Sequence, residues 1–339
     1  MSSKVKTNNK TRDRIMADVT VMEGALSMSA ILGSLGLLVY FLCQCQQMAP
    51  NAAGVGGGVA ARWLPSDDNL AKQQFEIYAL KYTVVWISVF GVVVATKAYE
   101  SFDANAYMAL CTSLALPYLL QPVLSPLPAE KNLPLHMRYS FKANVWIALF
   151  SFVGNYWYTH YFYSVLKAFY DFPSLRLNNV PICLYFATHF YFVTYHSAAN
   201  LLLRQIETRY LDGKRRQALF WAVVVAFSYF TAFMETLTIS SFEHYGFGVP
   251  RRTIYTLGSA FYGLYFLVSY PVFYRLDENV NAARGTLPHT LFQTVMESLG
   301  SGMAVLLLLD FCRLALGVTL HIPGNAFCLN ENLKQCRDL

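Results

Sequence analysis

Residues 217–239 read QALFWAVVVAFSYFTAFMETLTI, a run of 23 residues in which Glu235 is the one Asp, Glu, Lys, Arg or His. As an α-helix this run is about 34 Å long, enough to cross the roughly 30 Å hydrocarbon core of a bilayer. Lys214-Arg215-Arg216 sits immediately before it. Seven more apolar runs lie near 25–43, 79–97, 106–124, 143–166, 181–203, 253–274 and 291–317. Between them stand breakers and charges: Asp67-Asp68, Pro126 and Pro128, Pro173, Pro181, Pro250-Arg251-Arg252 and Pro288. This pattern predicts an all-α, polytopic integral membrane helical bundle. The composition agrees, with 55% hydrophobic and only 14% charged residues in 339 and a mean hydropathy of +0.34, where soluble domains carry about 25% charged residues.

Basic residues set the number of crossings, because cytoplasmic segments carry the excess of Lys and Arg. With eight crossings the two sides would be almost equally basic. If 25–43 does not cross, 18 Lys/Arg fall on the N-terminal side against 7 on the other. The expectation is therefore seven transmembrane helices with the N-terminus cytosolic. The run 25–43, broken by Gly33 and Gly36, is then an additional interfacial or partly inserted helix. Four regions follow: a basic, disordered cytosolic tail (1–24), an extra apolar helix with a Gly-rich linker (25–60), a helical membrane domain carrying the chemistry (61–320) and a short polar tail (321–339).

Several function classes drop out. The net charge of +6 is spread through short connecting segments, not gathered into a block that grips nucleic acid. Gly54-Val55-Gly56-Gly57-Gly58 follows no strand and precedes no Lys-Ser/Thr, so it reads as a linker and not a phosphate loop. The seven cysteines show no zinc spacing; Cys43 and Cys45 have no partner nearby, and Cys328 with Cys336 would pair only in an oxidising compartment. No metal and no cofactor is expected. Asp310 and Arg313, three residues apart, are expected to pair on one helix.

A titratable group inside a span costs about 2.5–3.5 kcal/mol on insertion scales, so each is a candidate for function. His160 lies in the fourth run, and His189 and His196 share one face of the fifth. Glu235 lies on a stripe with Ser228, Thr231 and Thr238, with no cation in helical reach. Burial without a cation favours the uncharged carboxyl, the form a general acid needs. Glu297 begins the last run. Tyr156, Trp157 and Tyr158 beside His160, and Tyr195 beside His196, read either as an interfacial aromatic belt or as π faces lining an apolar pocket where a cation is stabilised.

The stretches KANVWIALFSFVGNYWYTHYFYSVL (142–166), FPSLRLNNVP (172–181), THFYFVTYHSAANLLLR (188–204), SYFTAFMETLTISSF (228–242), FYGLYFLVSYPVFYRLDE (261–278) and LGSGMAVLLLLDFCRLALG (299–317) resemble the cycloeucalenol cycloisomerase family of plant and algal sterol synthesis. The resemblance spans roughly 70–320; residues 1–60 match no family pattern. It implies a cofactor-independent isomerase, an intramolecular lyase of the endoplasmic reticulum. Such an enzyme opens the 9β,19-cyclopropane of a 4-methyl sterol to the 8-ene by protonation at carbon 19, a cation at carbon 9 and loss of the 8β hydrogen. The resemblance brings no known catalytic residues with it. On burial and charge alone, Glu235 is the expected acid, with His160 and His189 as relay or base. His196, Asn155 and Glu297 are expected to polarise that network, and Tyr156, Trp157, Tyr158, Tyr195 and Thr231 to contact a sterol. The partners expected are the sterol and membrane lipid. A sterol- or lipid-binding or transport protein without catalysis is the rival reading, since one fold serves both.

Overall fold

The computed structural model describes residues 26–40, 61–239, 242, 244–280, 287–322 and 327–328. The expectations for the 1–24 tail, the Gly54–Gly58 linker, the Cys43/Cys45 pair, Cys336 and most of the 321–339 tail lie outside these residues.

The helices are α1 (Leu26–Tyr40), α2 (Leu70–Ala95), α3 (Ala104–Leu124), α4 (Tyr139–Val153), α5 (Thr159–Val165), α6 (Ile182–Arg209), α7 (Lys214–Ile239), α8 (Arg251–Thr253), α9 (Ser259–Tyr274) and α10 (Leu291–Ala315). A π-helical turn, Gly154–Tyr158, joins α4 to α5, and a second, Ile254–Gly258, joins α8 to α9. Among the described residues four helices are long and apolar enough to cross a membrane: Asp67–Ala95, Ala104–Leu124, Lys214–Thr238 and Leu291–Ala315. The apolar runs centred on α4–α5 and α8–α9 are each interrupted by their π-turn, and α6 carries histidines and amides along its length. α1 is 15 residues, about 22 Å, shorter than a bilayer core. Its Met28 is buried against Phe233 and Tyr255, while Leu37, Leu38 and Tyr40 are exposed.

α6 is the central post, packed against α2, α3, α4, α7 and α9; α10 closes the bundle against α4 and α9. Its role follows from its sequence, which places small or polar side chains such as Ala187, Ser197, Ala199 and Asn200 among buried aromatics, so neighbouring backbones approach closely.

One end of the bundle is tied by buried charges. Arg204, at the end of α6, binds Glu76 of α2 and Glu278 beyond α9 through N–H···O contacts of 2.7–2.9 Å. Lys72 pairs with Glu278 at 3.0 Å and donates to the carbonyls of Tyr274 and Leu276. Lys142 of α4 pairs with Asp277. Burial alone would push Glu278 up, but the Lys72 charge and the Arg204 hydrogen bonds hold it down at about 2. Asp277 is likewise held below its ordinary value despite burial, by hydrogen bonds from His289 and Lys142.

The opposite end is covered by a two-stranded cap. β1 (Ala168–Tyr170), after α5, pairs antiparallel with the strand Tyr245–Phe247, after α7, with Tyr170 opposite Tyr245. Their rings stack at 4.7 Å. Gly246 leaves room for the Phe169 ring, which a Cβ would meet at 2.1 Å. Short strands β2 (Arg176–Leu177) and β3 (Val180–Pro181) form a hairpin beside the cap, with Phe327–Cys328 added to its edge. The expected Asp310–Arg313 pair is present, Arg313 Nε donating to Asp310 Oδ1 at 2.8 Å.

Candidate active site

Beneath the cap lies a cavity of about 340 Å³, within the range of small-molecule sites. Its wall is mostly aromatic and aliphatic, including Phe162, Tyr170, Tyr191, Phe192, Tyr245 and Tyr265, and two sets of polar side chains stand in it, beside Thr236, Thr238 and the thiols of Cys111 and Cys183. The first is Glu235 with Tyr262; the second is Asn155 with Ser151, Thr159 and Thr188.

Glu235 lies one turn before the end of α7, where α7 packs on α9. Tyr262 Oη donates to Glu235 Oε2 at 2.8 Å, and Tyr195 of α6 is its second hydroxyl neighbour. No basic side chain pairs with Glu235 among the described residues. A carboxyl facing an apolar cavity, with only phenols beside it, can hold a proton and deliver it to a bound molecule.

Both π-turns border the cavity, contributing Gly154 and Asn155 from one and Ile254 and Gly258 from the other. A π-turn inserts one residue and rotates everything after it by about 100° relative to a regular helix. Here it aims Asn155 inward: Asn155 Nδ2 donates to Ser151 O at 2.9 Å and to Thr188 Oγ1 at 2.7 Å. Tyr158, at the turn's far end, donates to Gly302 O of α10 at 2.8 Å.

The remaining expected site residues lie elsewhere. His196 is fully buried between Phe192 O (Nδ1, 2.7 Å) and Ser269 Oγ (Nε2, 2.8 Å); a carbonyl only accepts, so Nδ1 carries the proton and Nε2 accepts from Ser269. His189 Nε2 meets Asn144 Oδ1 at 2.9 Å, and because Asn144 Nδ2 donates to Ser140 O, His189 is the donor. Both imidazoles bridge helices and neither lines the cavity. His160, displaced by the π-turn, is buried against Trp157 and Tyr163 with Asn178 as its polar neighbour. Glu297 pairs with His289 at 3.1 Å, at the opposite end of the bundle. Tyr156 stacks on Phe152, Trp157 is 41% exposed, and Tyr158 packs on Tyr265. Thr231 Oγ1 accepts from Tyr270. The expected relay and the expected aromatic wall are thus not brought to the cavity; Glu235 and Asn155 are, with Tyr195 behind Glu235.

Sequence reasoning missed Tyr262 and the cap. A tyrosine inside an apolar span needs a partner for its hydroxyl, and Tyr262 on α9 with an orphan carboxyl on α7 was such a signal. The cap residues fall in connecting segments where hydropathy says nothing.

No family model matches the chain, and no solved structure matches it. Over 283 residues, covering 82% of this chain and 98% of the relative, it is 38% identical to a cycloeucalenol cycloisomerase of Arabidopsis thaliana.

Proposed function

The chain belongs to the cycloeucalenol cycloisomerase family, and from that premise we propose that it opens the cyclopropane of a 4-methyl 9β,19-cyclosterol in the cavity beneath the β cap. The observation that carries the reading is a carboxyl without a cation among the described residues, hydrogen-bonded by a phenol, in the wall of a mostly apolar cavity.

The chemistry requires a proton donor, a dry site tolerant of a tertiary cation and a proton acceptor. Glu235 delivers its proton to carbon 19; the C9–C19 bond breaks and its electron pair forms the new C19–H bond. The cation left at carbon 9 faces tyrosine and phenylalanine rings, whose π faces stabilise it. The 8β hydrogen leaves as a proton, its electron pair closing the C8=C9 double bond. Addition and loss occur on one face, so the Glu235 carboxylate, freshly deprotonated, accepts that proton and is reset. No electron is gained or lost, and no cofactor enters the scheme. Tyr262 and Tyr195 stabilise the carboxylate between the two transfers by hydrogen bonding to it. His189 and His196 hold helices together in this scheme instead of moving protons.

In the membrane, the proposal is seven crossings with a cytosolic N-terminus, in the endoplasmic reticulum. α2, α3, α4–α5, α6, α7, α8–α9 and α10 would cross, and α1 would lie against α7. Supporting this, the ion-paired end gathers the starts of α2 and α4 with the ends of α6 and α9, as strict alternation demands. The cavity then opens toward the lumenal half.

Incubating membranes containing the protein with cycloeucalenol in D2O tests the function. With the Glu235 carboxyl exchanging with solvent between turnovers, the expected product is the 8-ene obtusifoliol, shifted in retention and carrying one deuterium at carbon 19. A sterol that binds and is recovered unaltered would favour the non-catalytic binding reading.

A further inference from the structure

The second polar set of the cavity has a property that the isomerisation itself does not use: every donor in it is already spent on the protein. Asn155 donates both amide protons, to Ser151 O and Thr188 Oγ1. Thr188 donates to Leu184 O at 2.9 Å, Ser151 to Ala148 O at 3.2 Å and Thr159 to Gly154 O at 3.4 Å. Asn155 Oδ1 takes no hydrogen bond from a protein group among the described residues, and it is not among the buried polar atoms sealed without a partner. The amide cannot flip to reverse this, because its nitrogen faces the Ser151 carbonyl, which only accepts. The Asn155 set therefore offers a ligand lone pairs and no N–H or O–H.

We infer that Asn155 is the anchor for a ligand hydroxyl, and that the cavity selects a sterol bearing a free 3-hydroxyl over the same sterol as its 3-ketone. The inference rests on the cavity being the sterol site. A sterol hydroxyl, the molecule's one heteroatom, can donate to Asn155 Oδ1. A 3-oxo group brings only an acceptor and would face lone pairs with no proton between them, the situation a site built for one hydrogen-bonding partner rejects most strongly. Asn155 would act as a positioning residue: with the hydroxyl held at one polar set, the ring system reaches toward Glu235 at the other.

Equilibrium binding to the purified, detergent-solubilised protein reads this without turnover, with cycloeucalenol and its 3-ketone each displacing a fluorescent sterol. The wild type is expected to bind the 3-hydroxy compound about a hundredfold more tightly. Asn155→Leu should bring the two within about threefold by weakening the alcohol. Thr188→Val leaves an Asn155 N–H without its acceptor, so it should narrow the gap at least about tenfold by strengthening the ketone, a gain that misfolding cannot produce. Equal affinities in the wild type, or an undiminished preference in both variants, would overturn the inference. Turnover of cycloeucalenol by the wild type, measured beside these, separates the two readings: activity without the preference removes the anchor alone, and the preference without activity removes the isomerase alone.

Discussion

Tyr262 Oη donates a hydrogen bond to Glu235 Oε2 at 2.8 Å across the α7–α9 contact, so the acid of the proposed reaction is oriented by a residue on the neighbouring helix. Tyr262→Phe keeps the ring that packs against Tyr265 and Phe266 and removes only the donor. Turnover should fall about tenfold to a hundredfold, the usual span for a general acid–base contribution. KM should change little, because the apolar wall is unaltered. Steady-state kinetics in detergent or nanodiscs checks both numbers; an unchanged kcat would detach Tyr262 from the chemistry.

Gly302 lets α10 approach the first π-turn: a Cβ there would meet Tyr158 Oη and Val153 Cγ1 at 3.3 Å each. Gly302→Leu should force the turn away from α10, break the Tyr158–Gly302 hydrogen bond and lower melting temperature and activity together. Tyr158→Phe, losing the hydrogen bond alone, should cost about 0.5–1.5 kcal/mol, since the Gly302 carbonyl keeps its main-chain partner within α10. Thermal unfolding of both variants measures the difference.

The ion-paired end makes stability depend on pH with a defined sign. Asp277 and Glu278 are depressed, Glu278 from 4.5 to about 2, so their contribution is complete above the ordinary carboxylate range and is lost as pH falls toward 2. His289 is raised, first by its hydrogen bond to Asp277, so its charged form contributes below 6.5 and that contribution is lost as pH rises through the raised value. Melting temperature should therefore fall on the acid side below about pH 4.5, and Glu278→Gln should flatten that limb. Arg204→Met leaves the buried Glu76 without its cation and Glu278 with Lys72 alone, and should destabilise by about 3–5 kcal/mol.

His196→Phe and His189→Ala should act on the amount of folded protein and not on its chemistry. Each deletes an interhelical hydrogen bond, leaving Ser269 or Asn144 buried without its partner. Activity per folded molecule, obtained by normalising turnover to the monodisperse fraction, is expected to stay within about threefold of wild type. A loss above about tenfold per folded molecule would return a histidine to the proton path.

The bundle was legible because hydrocarbon length and charge exclusion act on uninterrupted runs, and Lys214–Ile239 and Leu291–Ala315 need no tertiary information. Glu235 was legible for the same reason, as the lone carboxyl of its run. The orientation of His160, Tyr156, Trp157 and Tyr158 was not, because the π-turn at Gly154–Tyr158 breaks the 3.6-residue period on which a helical wheel depends. His189 and His196 do share a face, but that face meets Asn144 and Ser269 instead of the cavity, and which neighbour a face meets is set by packing. Tyr262 and the Tyr170–Tyr245 cap come from distant segments joined only in the fold.

Glu235→Gln is the most direct test of the central claim, since it keeps the size of the side chain and a hydrogen-bonding oxygen for Tyr262 while removing the transferable proton. Single-turnover analysis with cycloeucalenol should show sterol still bound and its cyclopropane intact, with the rate down by at least about a thousandfold. Ring opening in that variant at the wild-type rate would contradict the account.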